Sequence, residues 1–249
     1  MPRYPSQVSY SFGPGGITPA VKAIIIANVA MFIATVFAPE MMVPLALTPQ
    51  DVVTRGAIWQ PVTYLFLHAG VFHILFNMLA LWMFGVDLER TWGTNFFVKY
   101  YAITGIGAGL VTVAVSLLPF QFALPMYASP TVGASGAVYG LLLAYGLYFP
   151  DRPIYLYFIF MIPARWFVII VGAIAFISSF SGSGSNVAHF AHLGGLVIGY
   201  LYLRGRRLAR FNLIAELKYR YIKWKIARMR RRFDVHPGGR SDDWDRRIH

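Results

Sequence analysis

Apolar positions in this chain run on for much longer than the half-buried stripe of a soluble helix. Residues 23–38, AIIIANVAMFIATVFA, carry no charge, nor do residues 100–150, and only Arg165 interrupts the stretch from Pro153 to Leu203. About 20 apolar residues cross a bilayer core as a helix, so the 100–150 stretch is too long for one crossing and must fold back. Prolines and charge clusters mark the breaks. They predict a first helix over 18–38, then a long mixed loop over 39–66 with Pro44, Pro49, Asp51, Arg55 and Pro61. A second helix covers 70–88 and ends at Asp87, Glu89 and Arg90. A third covers 96–118 and stops at Pro119, and the connection 119–130 holds three prolines and no charge. A fourth covers 131–149 and stops at Pro150, Asp151 and Arg152. The aromatic, apolar residues 153–162 read as an interfacial segment or as the start of a fifth helix at 163–180. A short SGSGSN loop leads to a sixth helix over 188–203, extendable into the tail. The expected fold class is an all-α polytopic membrane protein with six crossings.

Composition agrees with this pattern. Of 249 residues, 57% are hydrophobic and 13% charged, against about 45–50% apolar and about 25% charged in a soluble domain. Cysteine is absent, which excludes a disulfide framework and a thiolate site. The net charge of +12 is concentrated: 15 of the 22 Lys and Arg residues lie between Arg204 and His249. A basic tail on the cytoplasmic side explains this better than a nucleic-acid surface, so no nucleic-acid partner is expected. With six crossings, Arg90, Lys99, Arg152, Arg165 and the tail share one side and only Arg55 falls on the other. Both termini are then cytoplasmic. The expected organisation is a disordered cytoplasmic leader over 1–17, a membrane domain over 18–203 and a basic cytoplasmic tail over 204–249. Within the tail, 213–233 reads as a helix at the inner interface. The first helix is read as retained rather than as a cleaved signal. The leader has no transit-peptide character, which favours a bacterial inner membrane.

Polar side chains inside crossings are costly, so each needs a reason. The second helix carries His73 and Asn77, the fourth carries Ser135, and the sixth carries His189 and His192. Counted from the outer ends, Ser135 lies four residues into its helix, about 6 Å down at 1.5 Å per residue, and His73 and His192 are at similar depths. Gly136 and Gly140, and Gly195 and Gly199, are spaced four apart just after Ser135 and His192. Small residues at that spacing let membrane helices approach closely, which would bring Ser135 to His192. A serine hydroxyl needs a base to become a nucleophile, and a neutral imidazole can take its proton and return it to the leaving amine. Asn77, His73 and the Ser135 backbone N–H are candidate oxyanion donors. No carboxylate lies near this depth, so a Ser–His dyad with Tyr139 stacked on the imidazole is expected rather than a triad. On inventory alone, Ser135 reads equally well as a small residue in a helix contact. His68 reads as structural and His189 as a rim residue. A metal site built from these histidines lacks a carboxylate partner. There is no HExxH motif, and Ala137 breaks the G-x-S-x-G pattern.

The residues HILFN at 73–77, GASGAVYG at 133–140 and AHLGGLVIGY at 191–200 resemble, in that order, the motifs of the rhomboid family. The resemblance covers about 18–203. It implies a six-helix intramembrane serine protease without cofactor or metal, with Ser135 as nucleophile and His192 as base. It also implies that His73 and Asn77 help form the oxyanion hole, Gly133 opens the serine motif, and Tyr139 packs against the histidine. Substrates would be transmembrane proteins in the lipid bilayer, cut near the outer end of the substrate helix. One departure is Trp59-Gln60 where many members have Trp-Arg, so a loop contact made by that arginine must be absent or replaced. Two other classes stay open: a catalytically dead binder of membrane helices, and a transporter. A transporter calls for inverted repeats or charged midplane residues, and neither is visible.

Overall fold

The computed structural model describes residues 13–121, 123–156, 160–179, 186–210 and 213–230. In chain order these form α1 (Pro19–Phe37), a 3-10 turn (Pro39–Met41), α2 (Met42–Leu45), α3 (Pro49–Thr54), α4 (Gln60–Thr63) and a second 3-10 turn (Tyr64–Phe66). Then follow α5 (Val71–Trp92), α6 (Thr94–Ser116), α7 (Leu124–Ala128) and α8 (Ser135–Tyr148). The strands β1 (Pro153–Leu156) and β2 (Phe160–Pro163) precede α9 (Ala164–Ser178), α10 (Asn186–Arg210) and α11 (Leu213–Arg230). Among the described residues α1, α5 and α6 are long and apolar enough to cross a membrane, and α8 and α9 are shorter apolar helices. The chain divides into two compact units, one up to Leu203 and one from Arg204.

Several boundaries differ from the sequence reading, and each difference has a local cause. The second predicted helix does not end at residue 88 but continues to Trp92 as α5. The charge that seemed to stop it is internal: Glu89 is buried, and its carboxylate accepts bonds from Thr18 Oγ1 and the N–H groups of Ala20 and Val21. These are the free donors at the start of α1, where the helix dipole also favours an anion. Thr94 Oγ1 donates to the same carboxylate at 2.7 Å. The end of the leader is not loose either. The Arg90 guanidinium donates to the carbonyls of Pro14 and Gly16, which ties residues 14–16 to the end of α5. Residues 1–12 lie outside the described residues.

The fourth predicted helix starts at Ser135 instead of residue 131. Thr131 is engaged elsewhere, in an antiparallel bridge with Leu47 (Leu47 N–H to Thr131 O 3.0 Å, Thr131 N–H to Leu47 O 2.8 Å). Residues 153–156 and 160–163 are strands rather than the start of the fifth helix. They form an antiparallel hairpin pairing Pro153 with Pro163 and Leu156 with Phe160. Two backbone bonds fasten its base, Ala164 N–H to Arg152 O and Arg165 N–H to Pro150 O. The 39–66 loop contains α2 to α4, and the 119–130 connection contains α7. The SGSGSN loop falls on residues outside the described ones, apart from Asn186. The sixth predicted helix runs on to Arg210 as α10.

α6 lies at the centre of the first unit, burying Phe97, Tyr100, Thr104, Ala108 and Thr112. Its small residues set the spacing. A Cβ on Gly105 would come within 2.7 Å of Leu65 and 3.2 Å of Ala137, and one on Gly107 within 2.7 Å of Ile198. Such contacts let backbones approach where there is no hydrophobic drive between helices in lipid.

Candidate active site

The site is set by where α8 begins. Ser135 is the first residue of that helix, and the Val138 N–H donates back to Ala134 O at 3.0 Å. Ser135 therefore lies at the helix end rather than four residues inside it. Within a helix interior its N–H would be tied to the carbonyl four residues back. At a helix start that N–H is one of the donors with no intrahelical acceptor, and it sits at the positive end of the dipole. The sequence reading named the Ser135 N–H as a donor but placed the residue where it could not be one. The non-local Leu47–Thr131 bridge, invisible in local sequence, removes this conflict.

Gly133 makes the turn into α8. Its φ is +123°, a region that side chains disfavour, and its N–H donates to Tyr64 O at 2.9 Å. A Cβ there would lie 2.8 Å from both Cε1 and Nε2 of His73 and 3.8 Å from the Ser135 nitrogen. The bare Gly133 thus leaves room for the His73 ring to approach the start of α8. His73 Nδ1 accepts the Ala69 N–H at 3.4 Å. In the neutral ring this leaves the proton on Nε2, the nitrogen that faces Gly133. Asn77, one turn further along α5 and buried, donates from Nδ2 to the His73 carbonyl at 2.8 Å.

α10 contributes the imidazole. Its glycines face the start of α8: a Cβ on Gly195 would overlap the carbonyl oxygen of Gly136, and one on Gly199 would lie 3.4 Å from Gly140 Cα. On its other side Gly136 meets α6, where a Cβ would fall 2.6 Å from Ala108 Cβ. This backbone-to-backbone crossing puts His192 Nε2 2.8 Å from Ser135 Oγ. The His192 ring stacks on Tyr139, with centroids 4.1 Å apart and planes 4° from parallel. His192 Nδ1 has no hydrogen-bond partner among the described residues. His189 meets it edge-on at 5.9 Å. His68 is buried and packs edge-on against His73 at 5.0 Å.

The first loop braces this geometry. Gln60 is buried, its Oε1 accepts the Thr48 N–H at 2.9 Å, and Trp59 Nε1 donates to Pro44 O at 2.9 Å. Gln60 thus supplies a loop contact at the position where the resemblance led one to expect arginine. Tyr64, whose carbonyl holds Gly133, is itself fixed by its hydroxyl donating to Gly105 O at 2.7 Å. The role of Tyr64 went unseen in the sequence, where it is one aromatic residue among many.

Comparison with known proteins places this geometry in context. Residues 55–207 match the rhomboid domain. The chain is similar to rhomboid protease GluP of Bacillus subtilis, 31% identical over 163 residues, which are 65% of this chain and 28% of that protein. It is similar to RHOMBOID-like protein 1 of Arabidopsis thaliana, 34% identical over 164 residues, 63% of this chain and 36% of that one. It is also similar to rhomboid protease GlpG of Salmonella paratyphi A, 28% identical over 186 residues, 73% of this chain and 60% of that one. In each case the match spans less than two thirds of the relative's length.

Proposed function

Because the chain belongs to the rhomboid family and is an integral membrane protein, we propose that it is an intramembrane serine endopeptidase that cleaves transmembrane proteins by a Ser135–His192 dyad. The observation that carries this reading is the 2.8 Å approach of His192 Nε2 to Ser135 Oγ. As Ser135 Oγ attacks the scissile carbonyl carbon, its proton passes to His192 Nε2 and the carbonyl π pair moves onto oxygen. The Ser135 N–H, His73 Nε2–H and the second N–H of Asn77 stabilise that oxyanion; one such donor is worth about 10²–10³ in rate. Collapse expels the amine, which takes the proton from His192 and leaves an ester on Ser135. Water then gives a proton to His192 and attacks the ester, releasing the acid and restoring the serine. Gly133 keeps room for His73, and Tyr139 holds the imidazole flat through both steps.

In the same reading α1, α5, α6, α8, α9 and α10 are the six crossings of a membrane domain over 18–203, flanked by the leader and the basic tail. Both termini face the cytoplasm of a bacterial cell, and the dyad opens toward the outer side of the inner membrane. The substrate is a membrane-spanning segment cut near its outer end.

Purified protein in lipid is tested on a transmembrane substrate beside Ser135→Ala and His192→Ala, with serine-directed fluorophosphonate labelling in parallel. Cleavage and labelling by the parent, with cleavage lost in both folded variants, is the expected result. No cleavage of several substrates and no labelling would overturn it in favour of a binder that recognises membrane helices without cutting them.

A further inference from the structure

Beyond Leu203 the chain changes character. Residues 204–230 contain ten Lys and Arg and a single acid, Glu216. α10 stays helical through Arg204 and on to Arg210, and only two residues separate it from α11. In α11 every side chain from Lys218 to Met229 is exposed. These include large apolar and aromatic ones: Tyr219, Tyr221, Ile222, Trp224, Ile226 and Met229. At helical spacing Tyr221, Trp224 and Arg228 share one stripe. Tyr221 and Trp224 lie 6.1 Å apart, and the Arg228 guanidinium sits 5.3 Å over the Trp224 ring. Ile222, Ile226 and Met229 form a second stripe, with Lys218 and Lys225 between the two.

Water alone suits this surface poorly, because three aliphatic and three aromatic side chains would stay hydrated along three turns. Nucleic acid would engage the cations and leave the Ile222–Ile226–Met229 stripe uncovered. A phospholipid interface accepts all of it. Apolar bodies enter the headgroup–acyl boundary, Tyr and Trp sit at headgroup level, and lysine stems reach past them to the phosphates. The charge selects the lipid, since a strongly basic segment next to a membrane crossing favours an anionic leaflet.

We propose that α11, with the basic end of α10, is a binding site for anionic phospholipid headgroups that lays this segment on the membrane surface. The proposal rests on the reading of α10 as a membrane crossing, but not on the hydrolase reading.

The chain has no cysteine, so Met229→Cys carries a single environment-sensitive fluorophore on the full-length protein. It is reconstituted in vesicles of phosphatidylcholine alone and of phosphatidylcholine mixed with phosphatidylglycerol. The expected result is blue-shifted emission in the mixed vesicles only, reversed by high salt. Each lysine at an anionic surface shifts the equilibrium by about fivefold. Changing Lys218, Lys223 and Lys225 together to Gln should therefore lower the bound-to-free ratio by about a hundredfold, with helicity by circular dichroism unchanged. Equal emission in both vesicles would overturn the proposal, as would a salt-insensitive shift. Energy transfer between labelled chains independent of lipid charge would overturn it too, and would assign the surface to a second copy.

Discussion

The crossing of α8 and α10 has no slack, and Gly195→Ala tests it. The added methyl would fall on the Gly136 carbonyl oxygen, and backbone cannot yield as a flexible side chain does. Ordinary contact between these atoms requires the helices to part by more than about 1 Å, at a packing cost of about 1–3 kcal/mol. Ser135 adjoins Gly136, and His192 lies one turn before Gly195, so most of that displacement reaches the dyad. The Oγ–Nε2 distance of 2.8 Å would lengthen to about 4 Å, past hydrogen-bond reach. General-base assistance is worth about 10²–10⁴ in rate, so cleavage of a transmembrane substrate should fall at least a hundredfold. The thermal unfolding midpoint in lipid or detergent should drop by only a few degrees. Fluorophosphonate labelling of Ser135, which needs the same base, should slow in parallel. Gly205→Ala, with nothing within 4 Å of its added Cβ, is the control and should behave as the parent. Cleavage by the Gly195→Ala protein within about threefold of the parent would refute the claim that this glycine contact sets the dyad distance.

Three further outcomes follow from described contacts. Gly133→Ala forces a methyl against His73 at a φ of +123° and, on the proposed mechanism, should reduce the cleavage rate by about 10² or more through loss of the His73 oxyanion donor, read as kcat at saturating substrate. Gln60→Ala removes the buried acceptor of the part-buried Thr48 N–H and should destabilise the protein by about 1 kcal/mol, seen as a lower unfolding midpoint with the chemistry intact in the folded fraction. Burial, with His73 alongside, pushes His68 down to about 4. Its folded value is thus below its unfolded one, so this contribution is present above about pH 6.5 and is lost as pH falls toward 4, to the extent of about 3 kcal/mol. Unfolding midpoints between pH 7 and 4 should fall more steeply for the parent than for His68→Gln, and parallel curves would count against it.

What could be read in the sequence was whatever depends on composition over a helix length or on spacing within one helix. The apolar runs located the long helices. The four-residue spacing of Gly136 and Gly140, and of Gly195 and Gly199, marked helix faces that do pack closely. What could not be read depends on partners far along the chain. Thr131 gave no local sign that it would bridge to Leu47 instead of opening a helix, so the start of α8 was placed four residues too early. Glu89 looked like a charge leaving the membrane because its acceptor role lies with Thr18, Ala20 and Val21, about seventy residues earlier. The hairpin at 153–163 hides in a uniformly apolar run whose strands show no polar alternation. Gln60 stood out only as a departure, and its loop contact to Thr48 became visible only in three dimensions.

The histidine of the proposed dyad belongs to α10, the last helix of the membrane unit, while the serine is pinned by a loop some eighty residues before it. During biosynthesis the chain enters the membrane from its N-terminal end. Ser135 therefore waits beside the completed first loop without His192 until the final glycine-lined helix has docked. On the proposed mechanism, assembly order then acts as a safety catch: a half-inserted chain, adrift among other nascent membrane helices, carries the Ser135 hydroxyl but not the His192 imidazole.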